Sequence, residues 1–88
     1  MSKYKIYWKK SAVKELKKLP KESIKKILLK VEKLKEDPFF PGCKRLKNTH
    51  NLYRAREGDY RIIYSVEQNT LTIQIIRIRH RKEVYKKL

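Results

Sequence analysis

The chain has 88 residues and a formal charge of +16 at pH 7, from 25 Lys and Arg against 9 Asp and Glu. A chain this short holds a single domain over residues 1–88, because a divided core could not offset the conformational entropy of folding. Its apolar residues fall in periodic runs, which argues against a disordered polyelectrolyte, and a charge so far from zero calls for an anionic partner to relieve self-repulsion.

Tyr4, Ile6 and Trp8 alternate with Lys3, Lys5 and Lys9, the period of a half-buried strand. Ser11 is a candidate N-cap, and Ala12, Val13, Leu16 and Leu19 follow at helical spacing up to Pro20, which predicts a first helix of about two turns. Pro20 suits the first turn of a second helix, in which Ile24, Ile27, Leu28, Val31 and Leu34 recur in steps of three and four until Asp37-Pro38. So short a connection implies an antiparallel helical hairpin with both apolar stripes on one layer. Phe39-Phe40-Pro41-Gly42 reads as a turn whose aromatic rings plug the edge of the core.

From Leu52 the pattern becomes strand-like, with candidates Leu52 to Arg56, Tyr60 to Val66 and Leu71 to Arg79, separated by Glu57-Gly58-Asp59 and Gln68-Asn69-Thr70. These make a three-stranded antiparallel meander. The run Leu71 to Ile78 is apolar on both faces apart from Thr72, Gln74 and Arg77, which suggests an interior strand. Lys82 to Leu88 would add a short tail, one helical turn docked by Val84 and Leu88. The predicted fold is α+β: an N-terminal strand, a helical hairpin and a meander, with the helices packed on one sheet face and the other face left for function.

The two kinds of cation are segregated. Every basic residue from Lys3 to Lys35 is a lysine, whereas Arg45, Arg54, Arg56, Arg61, Arg77, Arg79 and Arg81 all lie in the second half. Arginine offers a planar fork suited to phosphate, and lysine a hydrated point charge, so the functional surface is expected in the second half and the lysines read as a solvated face. Alternation puts Arg54 and Arg56 on one face of their strand, about 7 Å apart by strand rise, a spacing that could follow successive phosphates of a single strand. The apolar stripes of the helices are needed for the core, so no membrane partner is expected. A lone Cys43 and an opening without an apolar signal segment suggest a cytoplasmic protein.

The segment LYRAREGDYRIIY from Leu52 to Tyr64, the ending IRHRKEVYKKL and the KRLKN stretch from Lys44 to Asn48 together resemble the RelE branch of the RelE/ParE toxin superfamily. The resemblance covers nearly the whole chain. It implies a ribosome-dependent, metal-independent endoribonuclease without cofactor that cleaves messenger RNA in the ribosomal A site, with ribosome, messenger RNA and an acidic RelB-like antitoxin as partners. Residue by residue, Arg61 matches the family's catalytic arginine, Arg81 a second one and Tyr85 the C-terminal tyrosine of the active site. The second arginine is either Arg81, which fits the local HR pattern, or Arg79, which fits an ungapped match from Tyr85; Arg81 is preferred. Arg54 and Arg56 stand where well-studied members have lysines, a departure that puts a basic role for that pair in doubt. Lys44, Arg45, Lys47, Arg79 and His80 complete the candidate phosphate- and RNA-binding set.

Metal-free RNA cleavage needs the 2′-hydroxyl deprotonated, the phosphoryl charge stabilised and a proton delivered to the leaving oxygen. The sequence has no HExxH and no Cys/His cluster of zinc spacing, so cations are expected to do most of the work. Arg61 would clamp the scissile phosphate, with Arg54 and Arg56 on its neighbours. Tyr85 would be the base, its phenolate favoured by surrounding arginines, and Arg81 would stand near the leaving oxygen. Structural roles compete: Tyr85 as a packed ring, Arg61 as a turn ion pair with Asp59 or Glu57, His80 as a satisfied structural histidine, and Cys43 as an inert thiol. A gyrase-inhibiting ParE-like toxin and a non-catalytic RNA-binding module are the functional alternatives.

Overall fold

The computed structural model describes residues 3–81. Its elements in chain order are β1 (Lys5–Trp8), α1 (Lys10–Lys17), α2 (Lys21–Glu36), β2 (Lys44–Arg45), β3 (Leu52–Glu57), β4 (Tyr60–Glu67) and β5 (Thr72–His80). The strands form one mixed sheet in the order β1-β5-β4-β3-β2, with β1 parallel to β5 and every other pair antiparallel. The two helices make the crossover from β1 towards the meander and cover one sheet face, as the hydrophobic periodicity predicts.

Ile27, Val31 and Leu34 of α2 and Ala12 of α1 pack on Ala55, Ile62, Tyr64, Val66, Ile73, Ile75 and Ile78 in a single core. Each large aliphatic side chain so buried contributes about 1.5–3 kcal/mol. The layers are also joined by a polar contact: the Tyr64 hydroxyl donates to the Pro38 carbonyl at 2.7 Å in the interior. Phe40 packs at the core's edge, whereas Phe39 lies further out, its ring edge-on to Tyr53 at 5.2 Å.

Four local features depart from the sequence expectation. Ser11 is not the N-cap of α1; Lys9 holds that position without a side-chain cap. The reason is a tight junction, in which the Lys9 amide still donates to Ile75 at the end of β1 while its carbonyl already accepts from Val13. Pro20 precedes α2 as its N-cap residue instead of lying in its first turn. The two-residue strand β2 is an addition, pairing Lys44 with Arg54 and Arg45 with Tyr53. Finally, β5 is not apolar on both faces. Its register with β4 jumps, Ile63 facing Arg77 and Tyr64 facing Ile75, so Ile76 is an extra residue in a bulge. The bulge lets Ile73, Ile75 and Ile78 all point into the core although they are not evenly spaced. β5 is nevertheless interior, flanked by β1 and β4.

The β3–β4 hairpin closes through Gly58 and Asp59, with Glu57 paired to Tyr60. Gly58 has φ +59° at the first of the two loop positions, where a II′ turn requires a left-handed residue. This turn brings the end of β3 back onto β4 beside the last residues of β5.

Candidate functional site: an arginine row on the open sheet face

Because side chains alternate along a strand, cross-strand partners share a face. Ala55, Ile62 and Ile78 are such partners and are buried under the helices. Their neighbours Arg56, Arg61 and Arg79 are likewise mutual partners, Arg56 facing Arg61 and Arg61 facing Arg79, and so form a row across β3, β4 and β5 on the opposite face. The next row contains Arg54, Ile63 and Arg77. Among the described residues, Arg61 is the charged side chain that is buried, at 6 % exposure. Neighbouring strands lie about 4.8 Å apart, and like charges placed directly opposite one another destabilise a sheet.

At the hairpin end of this row lies a cleft of about 150 Å³ lined by Arg56, Gly58, Asp59, Tyr60, Arg61 and Arg81. Arg81 is held there by its backbone, whose amide donates to the Asp59 carbonyl at 2.6 Å. A second hollow of about 300 Å³ adjoins it at the sheet edge, lined by Lys30, Phe40, Gly42, Lys44, Arg54 and Arg56. Arg56 is common to both, and the cationic side chains that line the two hollows make a track around the end of β3.

The other predicted residues are placed less centrally. Lys44 pairs with Arg54 and shares its face, while Arg45 pairs with Tyr53 and shares the helix-bearing face; both are exposed, as is Lys47 in the following loop. His80 partners Tyr60 across the strands, on the face opposite the arginine row, with the two rings edge-on at 5.2 Å. Glu57, a predicted alternative partner for Arg61, is instead 3.7 Å from Lys30. Tyr85 and the rest of the expected tail lie outside the described residues.

One participant in the arginine surface was not singled out from the sequence. Glu15 of α1 accepts from the Ile78 amide at 3.0 Å and lies 3.5 Å from Arg77 Nη1 and 3.9 Å from Arg79 Nε. No local pattern marks it, since its partners are more than sixty positions away along the chain. Cys43 has the opposite character. Burial pushes its thiol pKa above the ordinary value, away from a reactive thiolate. Among the described residues, no three His, Cys, Asp or Glu side chains gather where a metal could be held, and no helix is long and apolar enough to cross a membrane.

The family model described as ParE toxin of type II toxin–antitoxin system matches residues 6–85. Toxin RelE3 of Methanocaldococcus jannaschii is 36 % identical over 85 residues, covering 92 % of this chain and 94 % of that protein. RelE in the archaeal RelE–RelB complex from Pyrococcus horikoshii superposes with a TM-score of 0.81 at 34 % identity, over 90 % of this chain and 96 % of that one. The toxin of the RelB–RelE antitoxin–toxin complex from Methanococcus jannaschii gives 0.75 at 32 %, over 93 % and 98 %. With the sheet order, the helical hairpin and the family match all in agreement, the chain belongs to the RelE family of toxins of type II toxin–antitoxin systems.

Proposed function

We propose that this toxin is a ribosome-dependent, metal-independent endoribonuclease that cuts messenger RNA in the ribosomal A site and so stops translation. The observation that carries the reading is the row Arg56–Arg61–Arg79, three guanidinium groups on directly paired positions. Such an arrangement concentrates planar cationic forks along one strip of the sheet and is well suited to an anionic backbone. A polyphosphate backbone supplies anions in series, and Arg54 extends the same face along β3.

In this reading Arg61, set deep in the sheet, clamps the scissile phosphate, while Arg54 and Arg56 hold its neighbours and Arg79 adds a contact beside Arg61. Attack by the ribose 2′-hydroxyl places extra negative charge on the phosphoryl oxygens, and preorganised cations stabilise that charge. Arg81, which lines the cleft, is suited to the leaving 5′-oxygen. Tyr85, outside the described residues, is assigned as general base, a role in which nearby cations would favour its phenolate. Lys44, Arg45 and Lys47 provide outer phosphate contacts, and His80 acts from the side of the cleft that Tyr60 lines. The partners are then the ribosome with its messenger RNA, and an acidic RelB-like antitoxin that neutralises the cationic face. The relatives from Pyrococcus and Methanococcus are each seen in complex with RelB.

The test adds the purified protein to translating ribosomes, maps messenger RNA 5′ ends, and repeats the measurement with Arg61→Ala, Arg81→Ala and Tyr85→Phe. Codon-phased cuts that fade in the variants support the proposal. Gyrase inhibition without cuts would assign the chain to the ParE mode of action, and salt-sensitive RNA binding without cuts to a non-catalytic binder.

A further inference from the structure

β1 pairs with β5 only along Thr72 to Ile75, so the outer edge of β5 loses its strand partner just before the residues that bear Arg77 and Arg79. An unpaired amide there would have to find water or another acceptor. Glu15 fills that place from the helical layer: one carboxylate oxygen takes the Ile78 amide, and the other lies against the guanidinium groups of Arg77 and Arg79 on either side. The carboxylate is itself only 23 % exposed, as is the Arg79 side chain, so the contact is not a solvated surface pair. Its approach to Arg79 is at Nε, the inner edge of the guanidinium fork. At 3.9 Å this is an ion-pair approach without a hydrogen bond, and it draws the guanidinium group of Arg79 towards the carboxylate at that edge of the sheet.

We infer that Glu15 is a positioning residue for the arginine row: it anchors the end of β5 through the Ile78 amide and holds Arg79 by charge beside Arg61, so that the two guanidinium groups meet one phosphate together. The inference rests on the RNA-directed reading above but not on cleavage. The assignment also runs against simple electrostatics. An anion near an RNA-binding face should weaken binding by repulsion, and its neutralisation should strengthen it. A positioning role gives the reverse sign.

The experiment is a double-mutant cycle in the binding of a fluorescein-labelled single-stranded oligouridylate, followed by anisotropy at constant salt. Glu15→Gln keeps an oxygen acceptor for the Ile78 amide and removes the charge, so its thermal midpoint should stay near that of the parent, whereas Glu15→Ala should lower it. Glu15→Gln should weaken oligouridylate binding about fivefold in the parent background, within the range of coupled neighbours, and should have no such effect in an Arg79→Ala background. Arg79→Lys, which retains the charge but not the planar fork, should bind clearly more weakly than the parent. Tighter binding by Glu15→Gln, equal weakening in both backgrounds, or parent-like binding by Arg79→Lys would each overturn the assignment. Failure to cut messenger RNA on ribosomes would remove the nuclease reading while leaving this cycle legible.

Discussion

From Lys3 to Lys35 every basic residue is a lysine, and all but Lys30 and Lys35 stand exposed around β1, α1 and α2; β3, β4 and β5 carry arginines and no lysine, three of the arginines in one cross-strand row. Both regions add positive charge, but only the second fixes where that charge points. A lysine on a helix surface is a mobile, hydrated ammonium that raises the field around the molecule and steers anions to it. An arginine on a paired strand has its base fixed by the sheet, and its neighbour across the ladder fixes its surroundings. The comparison teaches that net charge and recognition are carried by different regions of this fold, and that the region with fewer cations holds the site.

The sharpest way to break that division is to remove one charge from each region. Arg61→Ala should lower messenger RNA cleavage on ribosomes by about 100-fold or more, the usual cost of losing a preorganised charge stabiliser, whereas Lys17→Gln or Lys33→Gln should change it less than twofold. Arg61 is buried, so Arg61→Lys serves as the control: it retains a charge at the site and should still cleave poorly because it cannot offer a fork. Comparable losses from the lysine variants would mean that cleavage follows bulk charge, and the division would fall.

Tyr64 tests the bond between the layers with no change of charge near neutrality. Tyr64→Phe leaves the buried Pro38 carbonyl without its donor and should cost about 1–3 kcal/mol in denaturant unfolding, while the Arg61 surface keeps its RNA affinity. Burial raises the phenol's pKa well above its ordinary value of 10.0. Above pH 10 the unfolded chain therefore releases this proton while the folded chain retains it. The contribution is complete below that pH and is lost as pH rises, with a slope of up to about 1.4 kcal/mol per pH unit. The stability gap between parent and Tyr64→Phe should accordingly narrow from pH 10 upward. Lysine titration is common to both proteins and cancels in the difference, so a gap that stayed constant to pH 11 would contradict the assignment.

Arg61 and Tyr64 both lie on a hairpin strand, the kind of element whose placement is most legible in sequence. Alternation within β3 and β4 can be followed because hairpin partners are close along the chain, and Gly58 marks the turn that pairs them, so Arg54 and Arg56 fall on one face by periodicity alone. Helix stripes are legible for the same local reason. The parallel pairing of β1 with β5 is not, because period two says that a strand is half-buried without naming its neighbour. β2 is too short to have a period at all. The bulge at Ile76 disguises a one-faced strand as a two-faced one, and Glu15 joins Ile78 across 63 positions with nothing local to announce it. Arg79 opposite Arg61 likewise required the register of β5, which depends on that bulge.

Salt dependence sharpens the comparison at a smaller scale. Each phosphate contact adds about 0.7 to the slope of log affinity against log salt for a single strand. Arg54→Ala should lower the slope for oligouridylate by about that amount. Lys14→Gln, on the exposed side of α1, should leave the slope unchanged and shift only the association rate at low salt, because a steering charge acts before contact and a docked one acts during it. Equal slopes for the two variants would mean that the bound strand makes no distinction between the layers.

The smallest expected effect comes from the ion pair that spans them. Lys30 and Glu57 lie 3.7 Å apart with side chains 18 % and 26 % exposed, joining α2 to the end of β3 beside the cationic track. Partial burial raises the attraction, but desolvation and the ordering of a long lysine oppose it, so the net stabilisation should be at most about 1 kcal/mol. Lys30 also lies 5.3 Å from the centre of the Phe40 ring, a contact that survives when Glu57 is changed. Glu57→Gln should therefore lower the thermal midpoint by only a few degrees, less than Lys30→Ala, which loses both contacts. It should also modestly strengthen oligouridylate binding, because the acid it removes lies next to Arg56. That last sign is the reverse of the one expected for Glu15→Gln, although both substitutions neutralise one carboxylate beside the same arginine-bearing sheet. Only placement relative to a particular guanidinium can make two equal changes of charge act in opposite directions.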